Sequence, residues 1–255
     1  MVGRRCDSTI FLLVEEGTKA RRALKGSMTE AAIETKDVSQ TICPHCEAQS
    51  SEPHFCSGCG RIQAVVSGVD YFTFLGLFRK LRIDEVELEK TFYSLSRQFH
   101  PDYFMNASAE ERQASIERSS MLNDAYRTLR DPIARAKYLL TLEGYKEAEK
   151  RAPADLLEEV FELNMQIEEL RAAKKTGDED EAMAARSSIE EALGELHDKL
   201  RGIDEQLFTQ FDNWDSALES EAIQELKKPL LDRMSEILSH RSYIRNLVRD
   251  IKEEL

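Results

Sequence analysis

Apolar residues recur at helical spacing along most of the chain from residue 70 onward. A short aromatic segment over residues 71–78 predicts a first helix. The second predicted helix begins near Asp84, a good N-cap, and ends at His100-Pro101, because proline disfavours helical geometry in the residue before it. Its apolar face has four residues at steps of four, three and four: Leu88, Phe92, Leu95 and Phe99.

A third amphipathic run, from about residue 108 to 130, predicts a helix that packs antiparallel against the second. Asp131-Pro132 ends this helix, and residues 134–142 predict a further helical segment. The inward positions of the third helix are predicted to be Ile116, Leu122, Ala125, Tyr126 and Leu129.

The last hundred residues predict three long helices whose apolar faces advance in steps of three and four. The first face runs over residues 156–170 and the second over residues 182–211. A short polar loop between these two helices favours an antiparallel bundle, and Pro229 is predicted to kink or restart the third helix. The third face comprises Ile223, Leu226, Leu230, Met234, Ile237, Ile244, Leu247 and Ile251.

The composition favours a mostly α protein. Only 11 of the 255 residues are glycine and 6 are proline, which disfavours a sheet-rich fold with many turns. We expect a poorly ordered leader over residues 1–40, a metal-binding module over 41–66, antiparallel helices over 69–143 and a three-helix bundle over 153–255. The longest apolar stretch near the N-terminus, residues 10–14, is far too short to cross a membrane.

The net charge of the chain is −13, and nearly all of it lies in the bundle. From Arg151 onward there are 14 Lys and Arg against 26 Asp and Glu, a net charge of −12. Such a charge opposes a general affinity for nucleic acid or for anionic membranes. We therefore expect neither as a partner.

Four of the five cysteines form two CxxC pairs separated by nine residues: Cys43, Cys46, Cys56 and Cys59. Each pair can form a tight turn that aims two thiolates at one ion, and four thiolates complete the tetrahedron that Zn²⁺ prefers. We predict a small, closed, structural zinc knuckle with four cysteine ligands, and rubredoxin-like iron is the alternative metal. A redox dithiol would need only one CxxC pair and usually a βαβ context. His45 and His54 are interpreted as bystanders, because the cysteines already fill the ligand shell.

Three segments of the helical region resemble the J domain of DnaJ-type co-chaperones. They are residues 70–77, residues 95–104 with His-Pro-Asp between two antiparallel helices, and residues 122–132. The run Ala-Arg-Ala-Lys-Tyr-Leu-Leu at 134–140 is similar, more specifically, to the HscB family, whose J domain serves iron–sulfur cluster assembly. That family has a scaffold-binding domain at the position of the acidic bundle, and some of its members have an N-terminal metal domain.

The His100-Pro101-Asp102 turn is interpreted as a recognition tip, in which the proline fixes the turn and the His and Asp side chains contact a partner. A histidine that closes a helix can also simply cap its carbonyl groups. Lys90 and Arg97 are seven residues apart and so lie on nearly the same side of the second helix. The resemblance implies that these five residues bind an acidic surface of a DnaK/HscA-class ATPase chaperone and stimulate its ATP hydrolysis. Three further basic residues precede the helix and are assigned to the same cationic face: Arg79, Lys80 and Arg82.

The resemblance also implies an exposed apolar and acidic patch on the first bundle helix that holds an IscU-type cluster scaffold. The family run of the kind Phe-Leu-Met-Glu-x-Met-Glu corresponds to residues 156–162, in which Glu158 replaces an apolar side chain. Leu157 and Phe161 could instead belong to the core, but their neighbours already supply a full buried stripe. The implied scaffold-binding set is Leu157, Phe161 and Glu162, together with Leu230 and Met234 on the third helix.

These features predict a non-enzymatic, HscB-like co-chaperone. ATP binding is not expected, because the chain has no Gly-rich phosphate loop. The main alternative is a J-domain protein for a different client, with the zinc module as a protein- or nucleic-acid-binding element, although few basic residues surround the cysteines. A CxxC dithiol oxidoreductase ranks third. We expect a bacterial cytoplasmic location, with mitochondria as the alternative, and the sequence leaves open whether two chains pair through their metal modules.

Overall fold

The computed structural model of the chain describes residues 41–50, 52–146, 156–220 and 223–255. The predicted leader, residues 1–40, and the start of the predicted bundle, residues 153–155, lie outside this part of the chain. Within it, a two-stranded antiparallel sheet is followed by seven α-helices and one 3-10 helix, which confirms the mostly α fold class. The elements are β1 (Thr41–Ile42), β2 (Gln49–Ser50), α1 (Tyr71–Phe74), α2 (Glu85–Phe99), the 3-10 helix (Pro101–Phe104), α3 (Ala109–Arg130), α4 (Pro132–Leu142), α5 (Leu157–Thr176), α6 (Glu179–Leu218) and α7 (Ile223–Glu254).

Side-chain caps set the starts of the helices. The Asp84 carboxylate accepts hydrogen bonds from the first backbone amides of α2, and Ser108 and Glu111 form a capping box at the start of α3. Asp131 caps α4, whose first residue, Pro132, needs no hydrogen-bond acceptor for its nitrogen. These bonds satisfy amide groups that would otherwise lack partners, so the local sequence fixes where α2, α3 and α4 begin.

Helices α2 and α3 pack antiparallel and carry the His100-Pro101-Asp102 turn at one end. Phe92 of α2 stacks on Tyr126 of α3 with ring centroids 4.2 Å apart. Leu88 and Phe99 are buried at the two ends of the same face of α2. The turn is therefore held on a rigid helical hairpin.

Helices α5, α6 and α7 form the predicted three-helix bundle. Gly177, with φ of 76°, ends α5 in a left-handed conformation, and Asp178 caps α6 immediately afterwards, so these two helices run antiparallel. The α6–α7 pair is also antiparallel, because Asp204 contacts Arg241 while His197 contacts Lys252 farther along. Trp214 and Phe211 are among the largest buried side chains of this core.

The segment between α1 and α2 docks the J-like helices onto the bundle. Asp215 of α6 accepts hydrogen bonds from the backbone amides of Leu81 and Arg82 at 2.7 and 2.8 Å. The indole of Trp214 donates to the carbonyl of Arg79 at 2.9 Å, and Leu81 is fully buried among the bundle residues. Leu81 and the inner face of α4 thus belong to the bundle core, whereas the α2–α3 hairpin has a separate core of its own.

Arg79, Lys80 and Arg82, which the sequence assigns to the cationic face, are each paired with acidic residues of the same chain, and their contact with a chaperone stays a prediction. Arg82 forms two hydrogen bonds to Asp212, 130 residues away, and Lys80 pairs with Glu219 at 2.6 Å. Arg79 pairs with the two carboxylates that flank the hairpin, Asp70 and Glu143. Attraction between this basic segment and the acidic bundle therefore stabilises the junction.

Three predictions about helix faces and continuity also differ from the structure. Ile116 is exposed, because α3 turns Ser115 and Arg118 inward at the neighbouring positions. Leu226 is exposed as well, one turn before Pro229, and α7 continues through that proline, so the helix does not restart there. None of the helices in the described residues is long and apolar enough to span a membrane.

Candidate metal centre and partner-binding sites

The four cysteines come together at the tips of two similar turns. The amide of Cys43 donates to the carbonyl of Ala48, and the amide of Cys56 donates to that of Arg61. Each turn closes through a residue with positive φ, Glu47 at 57° in the first and Gly60 at 71° in the second. This repeated backbone presents two thiols from each turn to one point.

The thiols fit a single tetrahedral ion. All four Sγ atoms lie within 4.8 Å of one another, with 3.8 Å between Cys43 and Cys59 and 3.5 Å between Cys46 and Cys56. Zinc–sulfur bonds of about 2.3 Å require sulfur–sulfur distances of about 3.8 Å. The backbone amides of His45 and Cys46 lower the pKa of Cys43 to about 6, whereas the close thiols of Cys56 and Cys59 raise that of Cys46. Four sulfurs packed this closely hold negative charge together only when a cation shares it. The cluster can therefore hold a metal ion.

Gly58 keeps the space beside the cluster small. A Cβ atom at this position would lie 2.8 Å from the Cβ of Ala48 and 3.4 Å from the Sγ of Cys46. Its amide also donates to the Sγ of Cys56 at 3.3 Å, which stabilises negative charge on that sulfur. A side chain at residue 58 would thus disturb the thiol positions directly.

The metal module is continuous with the core of the helical hairpin. Ile62 is buried with the hairpin residues, and Phe55 packs against the same core. His54 lies edge-on to both Phe74 and Phe99, with centroid distances of 5.1 and 5.0 Å. The interpretation of His54 as a bystander is correct for the metal, since it lies outside the thiol cluster, but wrong for the fold.

The His100-Pro101-Asp102 turn is exposed. Pro101 begins the 3-10 helix, and the amide of Asp102 donates to the Nδ1 of His100 at 3.3 Å. The same ring nitrogen lies 3.6 Å from the Asp102 carboxylate, and both side chains are more than half exposed. The turn therefore presents a histidine and a carboxylate in a fixed relation, with most of their surface open to a partner.

The two basic residues predicted beside the turn differ in their surroundings. Lys90 pairs with Glu87 on the same helix at 2.6 Å, which raises its pKa. Arg97 is exposed in the last turn of α2, close to the turn in sequence and at the negative end of the helix dipole. Arg97 therefore presents its charge directly to solvent.

An exposed apolar stripe follows one side of α5. Leu157, Phe161 and Met165 succeed one another at steps of four and are 56%, 65% and 51% exposed. Glu162, Glu168 and Glu169 add exposed carboxylates along the same helix. The predicted exposure of Leu157 and Phe161 is confirmed, and Met165, whose spacing already pointed to it, extends the stripe by one turn.

The two residues expected from the third bundle helix differ in exposure. Met234 is completely buried in the bundle core, so its assignment to the scaffold-binding set is wrong. Leu230 is half-buried and packs against the same core. Both residues belong to the inward face of α7 because that face covers α6 along its length.

Comparison with known proteins defines the class of the hairpin first. The DnaJ domain family matches residues 70–138, the part of the chain that carries α1 to α4 and the His-Pro-Asp turn. The chain therefore contains a DnaJ domain.

The comparison of the whole chain is more specific. The iron–sulfur cluster co-chaperone protein HscB of Mus musculus is 29% identical over 223 residues, which cover 84% of this chain and 83% of that protein. The crystal structure of human co-chaperone protein HscB has 27% sequence identity and a TM-score of 0.57, and the match covers 84% of this chain and 98% of that one. The chain is therefore similar to HscB co-chaperones over most of its length, and it carries a tetra-cysteine cluster before its DnaJ domain.

Proposed function

We propose that the chain is a non-enzymatic co-chaperone that stimulates the ATPase of a DnaK/HscA-class chaperone and delivers an IscU-type iron–sulfur scaffold to it. The observation that carries the proposal is the exposed His100-Pro101-Asp102 turn on a DnaJ domain that is hydrogen-bonded to a bundle with its own exposed stripe. The similar mouse protein is named an iron–sulfur cluster co-chaperone and the similar human protein a co-chaperone, and both names support the same role.

The turn recognises the chaperone through pre-organised polar groups. Pro101 fixes the backbone, so little conformational entropy is lost when His100 and Asp102 are bound. Arg97 adds a positive charge near the turn. Lys90 adds a second positive charge, and its ion pair with Glu87 must be replaced by one with an acidic group of the partner. We assign the chaperone-binding role to these five residues.

The stripe on α5 recognises the scaffold through apolar contact. Leu157 and Phe161 offer large side chains whose surface is mostly exposed, and Glu162 lies beside them for polar contacts at the rim. Glu158 is exposed at the position where the family pattern has an apolar residue, so it interrupts the patch on one side. We expect Phe161 to be the main anchor, since aromatic residues dominate binding at such surfaces.

The metal has a structural role in this proposal. Four thiolates close the coordination shell of a zinc ion, which cross-links the two turns and leaves no position for a substrate. Gly58 and the backbone amides hold the thiols in place, and iron in the same site is the alternative. A small module of this kind depends on its metal for folding free energy.

A single-turnover ATPase assay tests the proposal. The wild-type chain should accelerate ATP hydrolysis by a purified DnaK/HscA-class chaperone, and His100→Gln should abolish the acceleration without a change in helicity or thermal midpoint. The control, His197→Gln, alters a histidine of α6 in the bundle and should stimulate like the wild type. Failure of the wild type to stimulate, or equal stimulation by His100→Gln, would refute the assigned role.

A further inference from the structure

Arg118 of α3 is buried, yet its guanidinium group reaches across to the metal module. The residue is 2% exposed. It donates hydrogen bonds to the carbonyl oxygens of Gln63, Pro53 and Ala64 at 2.5, 2.8 and 3.1 Å, and to the Nδ1 of His54 at 2.7 Å. One side chain of the J domain therefore binds two separate segments of the module, before and after the second CxxC pair.

No carboxylate contacts this buried cation among the hydrogen bonds and ion pairs of the described residues. Burial lowers the pKa of Arg118 to about 10, and the compensation comes from three carbonyl dipoles and one ring nitrogen. A buried charge is tolerated only when its donors are satisfied. The three carbonyl oxygens and the His54 ring nitrogen surround the guanidinium group only when the metal module is folded against α3. Burial of the charge on Arg118 therefore depends on the packing of the module against α3.

The same contacts extend to the residue before His100. The guanidinium lies 5.7 Å from the ring centroid of Phe99, and His54, which Arg118 holds, packs edge-on against that ring. The carbonyl of Phe99 accepts hydrogen bonds from Ser115 at 2.6 Å and Ser119 at 3.0 Å, on the same stretch of α3 as Arg118. The backbone that leads into the His100 turn is therefore clamped between α3 and the metal module.

We propose that Arg118 is a positioning residue that couples folding of the metal module to the geometry of the His100-Pro101-Asp102 turn. The proposal rests on the assigned ATPase-stimulating function and adds that the metal supports this function at a distance. When the module unfolds, Arg118 loses its acceptors, Phe99 loses the cover of His54, and the turn samples conformations that the chaperone does not bind. The metal and Arg118 then act through one pathway.

The experiment uses the full chain in four forms: the metal-loaded and chelator-treated wild type, and the metal-loaded and chelator-treated Arg118→Met variant. Methionine keeps much of the length of arginine and removes all five donors. Arg127→Met is the matched control, since Arg127 lies on α3 but is exposed and pairs only with Asp124 in the known contacts. The measurements are metal content, backbone amide chemical shifts of Phe99, His100 and Asp102, and the concentration that half-maximally stimulates the ATPase.

We expect Arg118→Met to keep its bound metal, because the four thiols are unchanged, but to shift or broaden the three amide signals. If the binding-competent population falls to a third, the half-maximal concentration rises about threefold, while the maximal stimulation is kept. Chelation of the wild type should do the same, and chelation of Arg118→Met should add nothing, since the pathway is already broken. Amide signals from the distal bundle, such as Gly194, should not move in any form.

The proposal is overturned if metal-loaded Arg118→Met has the amide signals and the half-maximal concentration of the wild type. It is also overturned if the changes caused by chelation and by the substitution are additive. Should Arg118→Met lose helicity, Arg118→Lys replaces it, with an intermediate shift expected from the fewer donors of lysine. If the metal-loaded wild type does not stimulate the ATPase, the assigned function fails. The amide shifts still decide the coupling in that case.

Discussion

Replacing Phe161 by alanine removes the largest side chain of the exposed stripe on α5. About one third of Phe161 is buried by its own helix and bundle, since it is 65% exposed. Full burial of a phenylalanine side chain contributes about 1.5–3 kcal/mol, so the loss of folding stability should be only about 0.5–1 kcal/mol. The remaining two thirds, once covered by the scaffold, correspond to about 1–2 kcal/mol of binding free energy. That loss raises Kd about 5- to 30-fold.

Calorimetric titration with an IscU-type scaffold, combined with a thermal melt, checks both numbers. Met183→Ala removes another exposed apolar side chain of the bundle and should leave the affinity unchanged. Phe211→Ala sets the scale for a core aromatic, because Phe211 is fully buried and its truncation costs about 3–5 kcal/mol of stability. A Kd for Phe161→Ala within twofold of the wild type would refute the assignment of the stripe, and a stability loss as large as that of Phe211→Ala would refute its exposure.

Two further predictions concern the junction and the metal. Asp215→Ala leaves two backbone amides without their acceptor and should lower the free energy of unfolding by about 1–3 kcal/mol in chemical denaturation. Arg82→Ala breaks an exposed ion pair and should lower it by about 1 kcal/mol or less. Equal losses of stability in the two variants would contradict the burial argument. Cys56→Ser should abolish stoichiometric zinc binding and also speed hydrogen exchange at Phe99, while exchange at Leu207 of the bundle stays as in the wild type. Loss of zinc with unchanged exchange at Phe99 would show that the module folds separately from the J domain.

The helices and their caps were predictable because local sequence decides them. Asp84 and Pro101 bracket α2 through capping and steric exclusion, both of which act over a few residues. The two CxxC pairs likewise specify a four-thiol cluster, since each pair forms its own turn. The site elements that depend on such short-range rules therefore follow from the sequence.

Contacts between distant segments were not predictable by the same rules. Arg118 lies on the inward face of α3, although charged residues are mostly exposed in proteins. The apolar pattern therefore predicts Ile116 as an inward residue instead, and Ile116 is exposed. Arg82 belongs to a basic cluster whose partner, Asp212, lies 130 residues away, and nothing local distinguishes this pairing from a free cationic face. Met234 lies on the apolar face that periodicity predicts for the third bundle helix, and that face packs inward; its surface role was implied only by the family resemblance.

The acidic residues of the bundle also affect the charge of the neighbouring basic segment. Its carboxylates pair with Lys80 and Arg82 and so offset the positive charge of the segment before α2. On α2, Arg97 is exposed and lies nearest the turn. The chain thus separates the charges that hold it together from those that it offers to a partner.

The central claim, that one rigid chain engages a chaperone and a scaffold through separate sites, is tested most directly by sedimentation of the three proteins together with ATP. The wild-type chain should form a ternary complex with a DnaK/HscA-class chaperone and an IscU-type scaffold. His100→Gln should leave only the complex with the scaffold, and Phe161→Ala should leave only the complex with the chaperone. Displacement of one partner by the other, or loss of both partners in either variant, would contradict the claim.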